Sequence, residues 1–200
     1  MASIFCCLRS CANAFDFELS SHTVPIKKQP LVLLDNNRIG QEVVIVKNGT
    51  RICGTGGALG SAPIMQDKAY FEVRLQQSGV WGIGLGTEKA NLNSIPMGCD
   101  PESWMLCSDG VFRHNKEGLI HVTQVPQEGD TIGVSYNHLE LNFYLNGQNM
   151  DCPITNVKGV VYPAVYVDEG AVLDVVFEDF IHSIPNGYDK IMLEQSLLET

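Results

Sequence analysis

Glu-Gly-Asp-Thr-Ile-Gly-Val-Ser-Tyr-Asn-His-Leu-Glu-Leu-Asn-Phe-Tyr-Leu-Asn-Gly, residues 128–147, is the stretch that decides the fold class. Ile132, Val134 and Tyr136 alternate with Thr131, Gly133 and Ser135. After Asn137-His138, Leu139, Leu141, Phe143 and Leu145 alternate with Glu140, Asn142 and Tyr144. Successive side chains leave a strand on opposite sides, so this alternation predicts two strands that each bury one face. Asn146-Gly147 supplies the pair of positive-φ residues that a tight hairpin turn requires, leading into a third strand.

Similar signals recur along the chain. Val43 to Val46 is a short apolar run ended by Asn48-Gly49. Tyr70 to Leu75 alternates, with Phe71, Val73 and Leu75 on one face, and Trp81, Ile83 and Leu85 alternate with Gly82, Gly84 and Gly86. Trp104–Cys107 and Val111–His114 flank a Ser-Asp-Gly turn, and Tyr162–Val167 and Ala171–Phe177 flank Asp168-Glu169-Gly170. Short strands separated by turn signals predict an all-β sandwich of antiparallel sheets, a class that binds more often than it catalyses. Residues 1–20 carry no such period and read as a flexible cysteine-rich arm. Residues 21–190 read as one domain, and 191–200 as a tail, with a short helix over Lys190–Leu198.

Two hundred residues with 44% hydrophobic and 18% charged content suit a single globular domain. The net charge of −10 is uneven: from Val160 onward Lys190 faces eight carboxylates. A phosphate backbone needs a basic face, so nucleic acid is not an expected partner, whereas a basic protein segment is. The longest nearly apolar run, Val160–Val167, is far too short to span a bilayer. Seven cysteines without a secretory signal pattern point to free thiols in the reducing cytoplasm.

Catalytic and metal signatures are weak. Gly54, Gly56, Gly57 and Gly60 lack phosphate-loop spacing and read as a turn or bulge. The row Gly82, Gly84, Gly86 reads as a strand face that another backbone or an aromatic ring approaches closely. The five histidines share no metal spacing with one another or with cysteine, so neither metal nor cofactor is expected. Cys107, Asp109 and His114 lie near one another in sequence, but Asp109-Gly110 is a ready hairpin turn and a nucleophile set there is not expected. Cys6, Cys7 and Cys11 lie beside Ile4, Phe5, Leu8 and Arg9 and are candidate S-acylation sites for peripheral membrane attachment, two chains being needed for stable anchoring.

Taken in order, Tyr70-Phe71-Glu72-Val73, Trp81-Gly82-Ile83-Gly84, Glu102-Ser103-Trp104, residues 128–134, residues 141–147 and Tyr162-Pro163-Ala164-Val165 resemble the successive signatures of the SPRY domain. Leu34-Asp35 resembles its lead-in segment and Ile184–Tyr188 its closing turn, so the likeness covers residues 31–190. Phe71 stands where many relatives have Trp, and Asn137 where many have Asp. The resemblance implies a bent, concanavalin-like sandwich of two antiparallel sheets, with no enzymatic activity and with a short segment of a partner protein bound by loops at one end. It implies three such loops: Ser61–Lys68, Glu88–Pro101 and Asp168–Gly170. Pro63, Ile64, Asn93, Met97, Asp168 and Glu169 are the expected contacts. Trp81 and Trp104 match strand motifs and are expected in the core. No zinc-binding ligase module or coiled coil is visible, and a monomer is expected.

Overall fold

The structure, a computed structural model, describes residues 31–193. Its strands are β1 Leu34–Ile39, β2 Glu42–Val46, β3 Arg51–Gly60, β4 Ala69–Gln77 and β5 Val80–Thr87. Next come β6 Ser103–Cys107, β7 Val111–His114, β8 Glu117–His121, β9 Thr131–Tyr136 and β10 Glu140–Leu145. The last are β11 Gln148–Asn149, β12 Ile154–Thr155, β13 Val161–Asp168, β14 Val172–Val176 and β15 Asp189–Lys190. One 3-10 turn, Lys47–Gly49, joins β2 to β3.

The strands form two antiparallel layers. The first runs β2-β3-β14-β4-β9-β10-β11, and the second runs β1-β3-β13-β5-β6-β7-β8. β3 belongs to both. Its first half, Arg51–Thr55, pairs with β2, and Arg51 and Ile52 also pair with β14. Its second half pairs with β13 through Gly56–Leu59 and with β1 through Ala58 and Gly60. The change of layer falls at Gly54 and Gly56, both at positive φ (95° and 129°). A Cβ on Gly54 would lie 2.2 Å from the Glu42 carbonyl oxygen, so only glycine fits this corner. The glycine cluster is thus a strand that turns between layers.

The opening stretch folds as expected. β9 and β10 pair from Tyr136↔Leu141 to Ile132↔Leu145, and Asn146-Gly147, both at positive φ, turns the chain into β11. Leu141, Phe143 and Leu145 are buried, but Leu139 belongs to the turn and is exposed. The glycine row of β5 also has its reason: a Cβ on Gly82 would meet the Tyr166 ring at 2.0 Å, and one on Gly84 the Trp104 carbonyl oxygen at 1.9 Å.

Between the layers lies one apolar core that includes Trp81 and Trp104, each 3% exposed. A second, smaller core covers the outer face of the second layer, where the 88–102 loop lays Ala90 and Met97 over Leu59, Met105, Cys107, Ala164 and Tyr166. The outer face of the first layer is covered by the segment after β14, where Phe180 packs edge-on against Tyr70 at 5.0 Å. Lys190, expected to open a helix, instead pairs in β15, parallel to β4. The remaining residues of that expected helix, from 194 onward, and the arm with Cys6, Cys7 and Cys11 lie outside the described residues.

On the outer face of the first layer the buried carboxylate of Asp174 anchors an ion cluster with two more exposed cations. Asp174 accepts hydrogen bonds from Arg51 Nε and Nη2 (2.6 and 2.9 Å) and Lys47 Nζ (2.8 Å). Burial pushes the Asp174 carboxyl up, but the bonds and charges of Arg51 and Lys47 outweigh it and hold it below the ordinary carboxylate value. A depressed value in the folded state stabilises above the unfolded value and is lost as pH falls through the folded one. Asp174→Asn is therefore expected to lower Tm by roughly 2–4 °C at neutral pH. In a Tm series against pH, the gap to wild type should close below about pH 4; a gap independent of pH would remove the ionic account.

Candidate functional site

β13 sorts the three expected loops. Its C-terminal end leads into Asp168-Glu169-Gly170, where Glu169 and Gly170 adopt positive φ (48° and 82°) and Ala171 N donates to the Asp168 carbonyl at 3.0 Å. Thr55 of β3 donates its hydroxyl to Asp168 Oδ1 at 2.9 Å. Two residues along β3, the Gly57 amide donates to the Leu92 carbonyl at 2.7 Å. Asn93, beside it, accepts the Gln41 amide on Oδ1 at 2.8 Å. The β1–β2 turn, residues 91–94 and the β13–β14 turn therefore meet at one end of the sandwich, tied through β3 and the Asn93 side chain by hydrogen bonds. Asn93 and Glu169 are exposed there, and Asp168 is half-buried.

Ser61–Lys68 does not join them. The Ile64 amide donates to the Val161 carbonyl at 2.9 Å, at the opposite end of β13. Seven residue steps of strand separate that end from Asp168, about 23 Å. Pro63 is half-buried at this far end. Ile64 and Met97 are 2% and 1% exposed, so both are corrected from surface contacts to core. Met97 is drawn inward because its loop is apolar at Ala90, Leu92 and Ile95 as well, and because Gly57 beneath it has no side chain: a Cβ there would lie 2.4 Å from the Met97 sulfur. Asp100 braces this loop by accepting the Glu102 amide (3.0 Å), the Ser103 hydroxyl (2.7 Å) and the Asn91 amide (3.2 Å). Gln41 and Thr55 went unnoticed in the sequence because they lie far from the loops they support.

Other turns reach the Asp168 end. Ser108 donates to the Trp81 carbonyl, placing Asp109 there, and the Ser78 amide donates to Glu128 at 3.0 Å. Asp130 accepts Asn146 Nδ2 at 2.8 Å in the hairpin turn. Asp109 is engaged by Arg113 Nη1 at 2.8 Å, which holds its carboxyl below the usual range. Glu128, Asp130, Asp168 and Glu169 have no ion-pair partner among the described residues. This end of the sandwich is a rim of carboxylates on braced turns.

Cys107, Asp109 and His114 do not form a nucleophile set. Cys107 packs in the outer core, where burial pushes its thiol up. His114 pairs across β6–β7 with Trp104 and stacks on its ring at 4.5 Å, on the inner face of the sheet. Among the described residues no group of three or more His, Cys, Asp or Glu is placed to hold a metal ion.

The family model for the SPRY domain matches residues 68–179, more than half of the chain. The chain belongs to the SPRY domain family. It is 50% identical over 198 residues to SPRY domain-containing protein 7 of Bos taurus and of Gallus gallus, covering 98% of each chain in both cases. It is 49% identical over 197 residues to the Homo sapiens protein of that description. Among solved structures it resembles the SPRY domain of human HERC1 (TM-score 0.59, 15% identity, 74% of this chain and 99% of that one). It likewise resembles the PSpry domain of TRIM65 (TM-score 0.59, 16% identity, 74% and 90%). These likenesses establish the SPRY sandwich as the fold.

Proposed function

We propose that this SPRY domain is a non-catalytic interaction module that binds a short basic segment of a partner protein at the Asp168 end of the sandwich. The observation that carries the reading is the set of unpaired carboxylates, Glu128, Asp130, Asp168 and Glu169, on turns that are already bonded in place. Preformed loops spend little ordering entropy on binding, and an acidic rim selects Lys- or Arg-bearing segments and speeds their encounter. SPRY relatives generally serve as interaction modules, which agrees with this reading. Asn93 and Gln41 supply neutral polar edges for a bound backbone.

Glu169 is the cleaner residue to change, because Asp168 also holds Thr55. On an array of peptides, Glu169→Lys is expected to weaken basic ligands roughly tenfold, about 1.4 kcal/mol, with Tm unchanged. Asp168→Lys should weaken them as much and lose about 1 kcal/mol of stability with the Thr55 bond. Ligands without basic enrichment, or binding by both variants as tight as by wild type, would refute the site.

A second reading rests on the sequence cluster Cys6, Cys7 and Cys11: a cytoplasmic scaffold held at membranes by S-acylation. Cell fractionation of the triple Cys→Ser variant tests it, and unchanged membrane association would end it.

A further inference from the structure

The face of the first layer that carries Asp174 is open at one corner. β3 accompanies β14 only through Arg51 and Ile52, and the Val175 amide then donates to the Thr50 carbonyl at 2.7 Å. Beyond that bond, Val176, the Lys47–Thr50 turn, Leu31–Leu33 and Ile181 enclose a cleft of about 260 Å³. That is less than the roughly 300–1,000 Å³ of small-molecule sites and suits the side chains of a peptide segment. Leu31 and Ile181 are exposed at its mouth, and Val46 and Val44 continue the apolar surface along the outer face of β2. Four of the eight large apolar side chains exposed among the described residues therefore gather here, and such gathering marks an interaction surface.

The charge that faces solvent at this corner is positive. Lys47 and Arg74 are exposed, whereas the Asp174 carboxylate, which holds both Lys47 and Arg51, lies buried beneath them. Arg74 stands across from Asp174 in the β4–β14 register and has no ion-pair partner among the described residues. Glu178 is matched by Lys190 at 3.1 Å, and Glu72 is enclosed under the Ile181 and His182 amides. Asp179 and Asp189 line a separate recess. On a chain of net charge −10, this corner is one that favours an acidic segment.

The described residues begin at Leu31, in the wall of this cleft, so the preceding chain is tethered to it. Residues 1–30 hold two carboxylates, Asp16 and Glu18, and both sit in Phe15-Asp16-Phe17-Glu18-Leu19. The arm as a whole has no sustained period, but these five residues alternate apolar with acidic. Residues 20–30 connect them to Leu31 and reach up to about 40 Å when extended, enough to double back. We propose that residues 15–19 of this chain dock in this cleft, with Phe15, Phe17 and Leu19 supplying the apolar contact and Asp16 and Glu18 the charge that answers Lys47 and Arg74. The tether supplies a roughly millimolar effective concentration, so a contact too weak to hold a separate partner is populated here. Docking sets Cys11 four residues from the domain surface instead of twenty.

Two-dimensional amide NMR of the full chain compares wild type with the Phe15→Asp, Phe17→Asp double variant. Shifts are expected at Lys47, Thr50, Val176 and Ile181 and not at the Asp168 end. Acetyl-Phe-Asp-Phe-Glu-Leu-amide, added to the double variant, should restore the wild-type positions saturably with Kd below about 1 mM. Arg74→Glu in the same background should weaken the peptide about fivefold, and the Asn/Gln form of the peptide should bind more weakly than the acidic one. Identical spectra of wild type and double variant at these amides, absence of saturation, or equal binding of the Asn/Gln form would each overturn the proposal. Vesicles of phosphatidylcholine and phosphatidylserine that move these amides where the peptide does not would overturn it in favour of a membrane face. Differences that appear only as protein concentration rises would overturn it in favour of a second copy of the chain.

Discussion

Glu72→Ala should lower the unfolding free energy by about 3–5 kcal/mol. Glu72 is fully buried although it points away from the main core. Its carboxylate accepts the Ile181 amide (2.7 Å), the His182 amide (3.0 Å) and the Tyr70 hydroxyl (3.0 Å). His182 Nδ1 lies 3.5 Å from the same oxygen that takes its amide. Alanine would leave two backbone donors and a hydroxyl without partners, each costing about 1–3 kcal/mol when buried. It would also release the segment that carries Phe180 over Tyr70. Glu72→Gln keeps the volume and one acceptor and should lose less. Chemical denaturation gives the stabilities, and hydrogen exchange at Ile181 and His182 should accelerate in the alanine variant. Unchanged exchange there would show that another contact holds the segment.

Trp81→Ala carries the second large effect, about 3–5 kcal/mol. Trp81 begins the buried run of β5, pairs with Val167, and accepts the Ser108 amide on its carbonyl at 2.9 Å. Removing the indole opens a cavity beside Ile83 and Val165, in strands already closely packed through Gly82 and Tyr166. The backbone bonds should survive, so the loss should appear in the denaturation midpoint and in exposure of the β6–β7 turn. A variant as stable as wild type would remove Trp81 from the core.

Sequence reading was sound wherever a strand's neighbours are its own hairpin partners. Residues 131–147 carry their period, their turn and their register locally, and the structure follows them, whereas residues 161–177 carry two strands and a turn but not their partners, because β13 pairs with β3 and β5 and β14 with β3 and β4. It failed where burial comes from distant chain. Glu72 sits on the polar phase of an alternating strand, and only the return of residues 178–190 over the first layer buries it. Met97 and Ile64 are apolar residues in loops, and whether such a residue faces solvent depends on which sheet face the loop crosses. The grouping of loops into a site failed for a related reason. Ser61–Lys68 follows β3 closely in sequence, yet the length of β13 separates it from Asp168. Of the six expected contacts, Asn93, Asp168 and Glu169 share one end, a result of strand direction and register that no local pattern carries.

β3 passes from one layer to the other without interruption, and this constrains how the domain can come apart. Neither layer owns a complete set of strands, so neither can peel away as a self-sufficient half. Cleavage within Arg51–Gly60 should abolish both layers together, whereas a nick at the exposed Asn146-Gly147 tip should leave two fragments that still reassemble. The domain is therefore better suited to being split, permuted or tagged at its hairpin tips than at the corner, where a single break removes the hinge pin of the whole assembly.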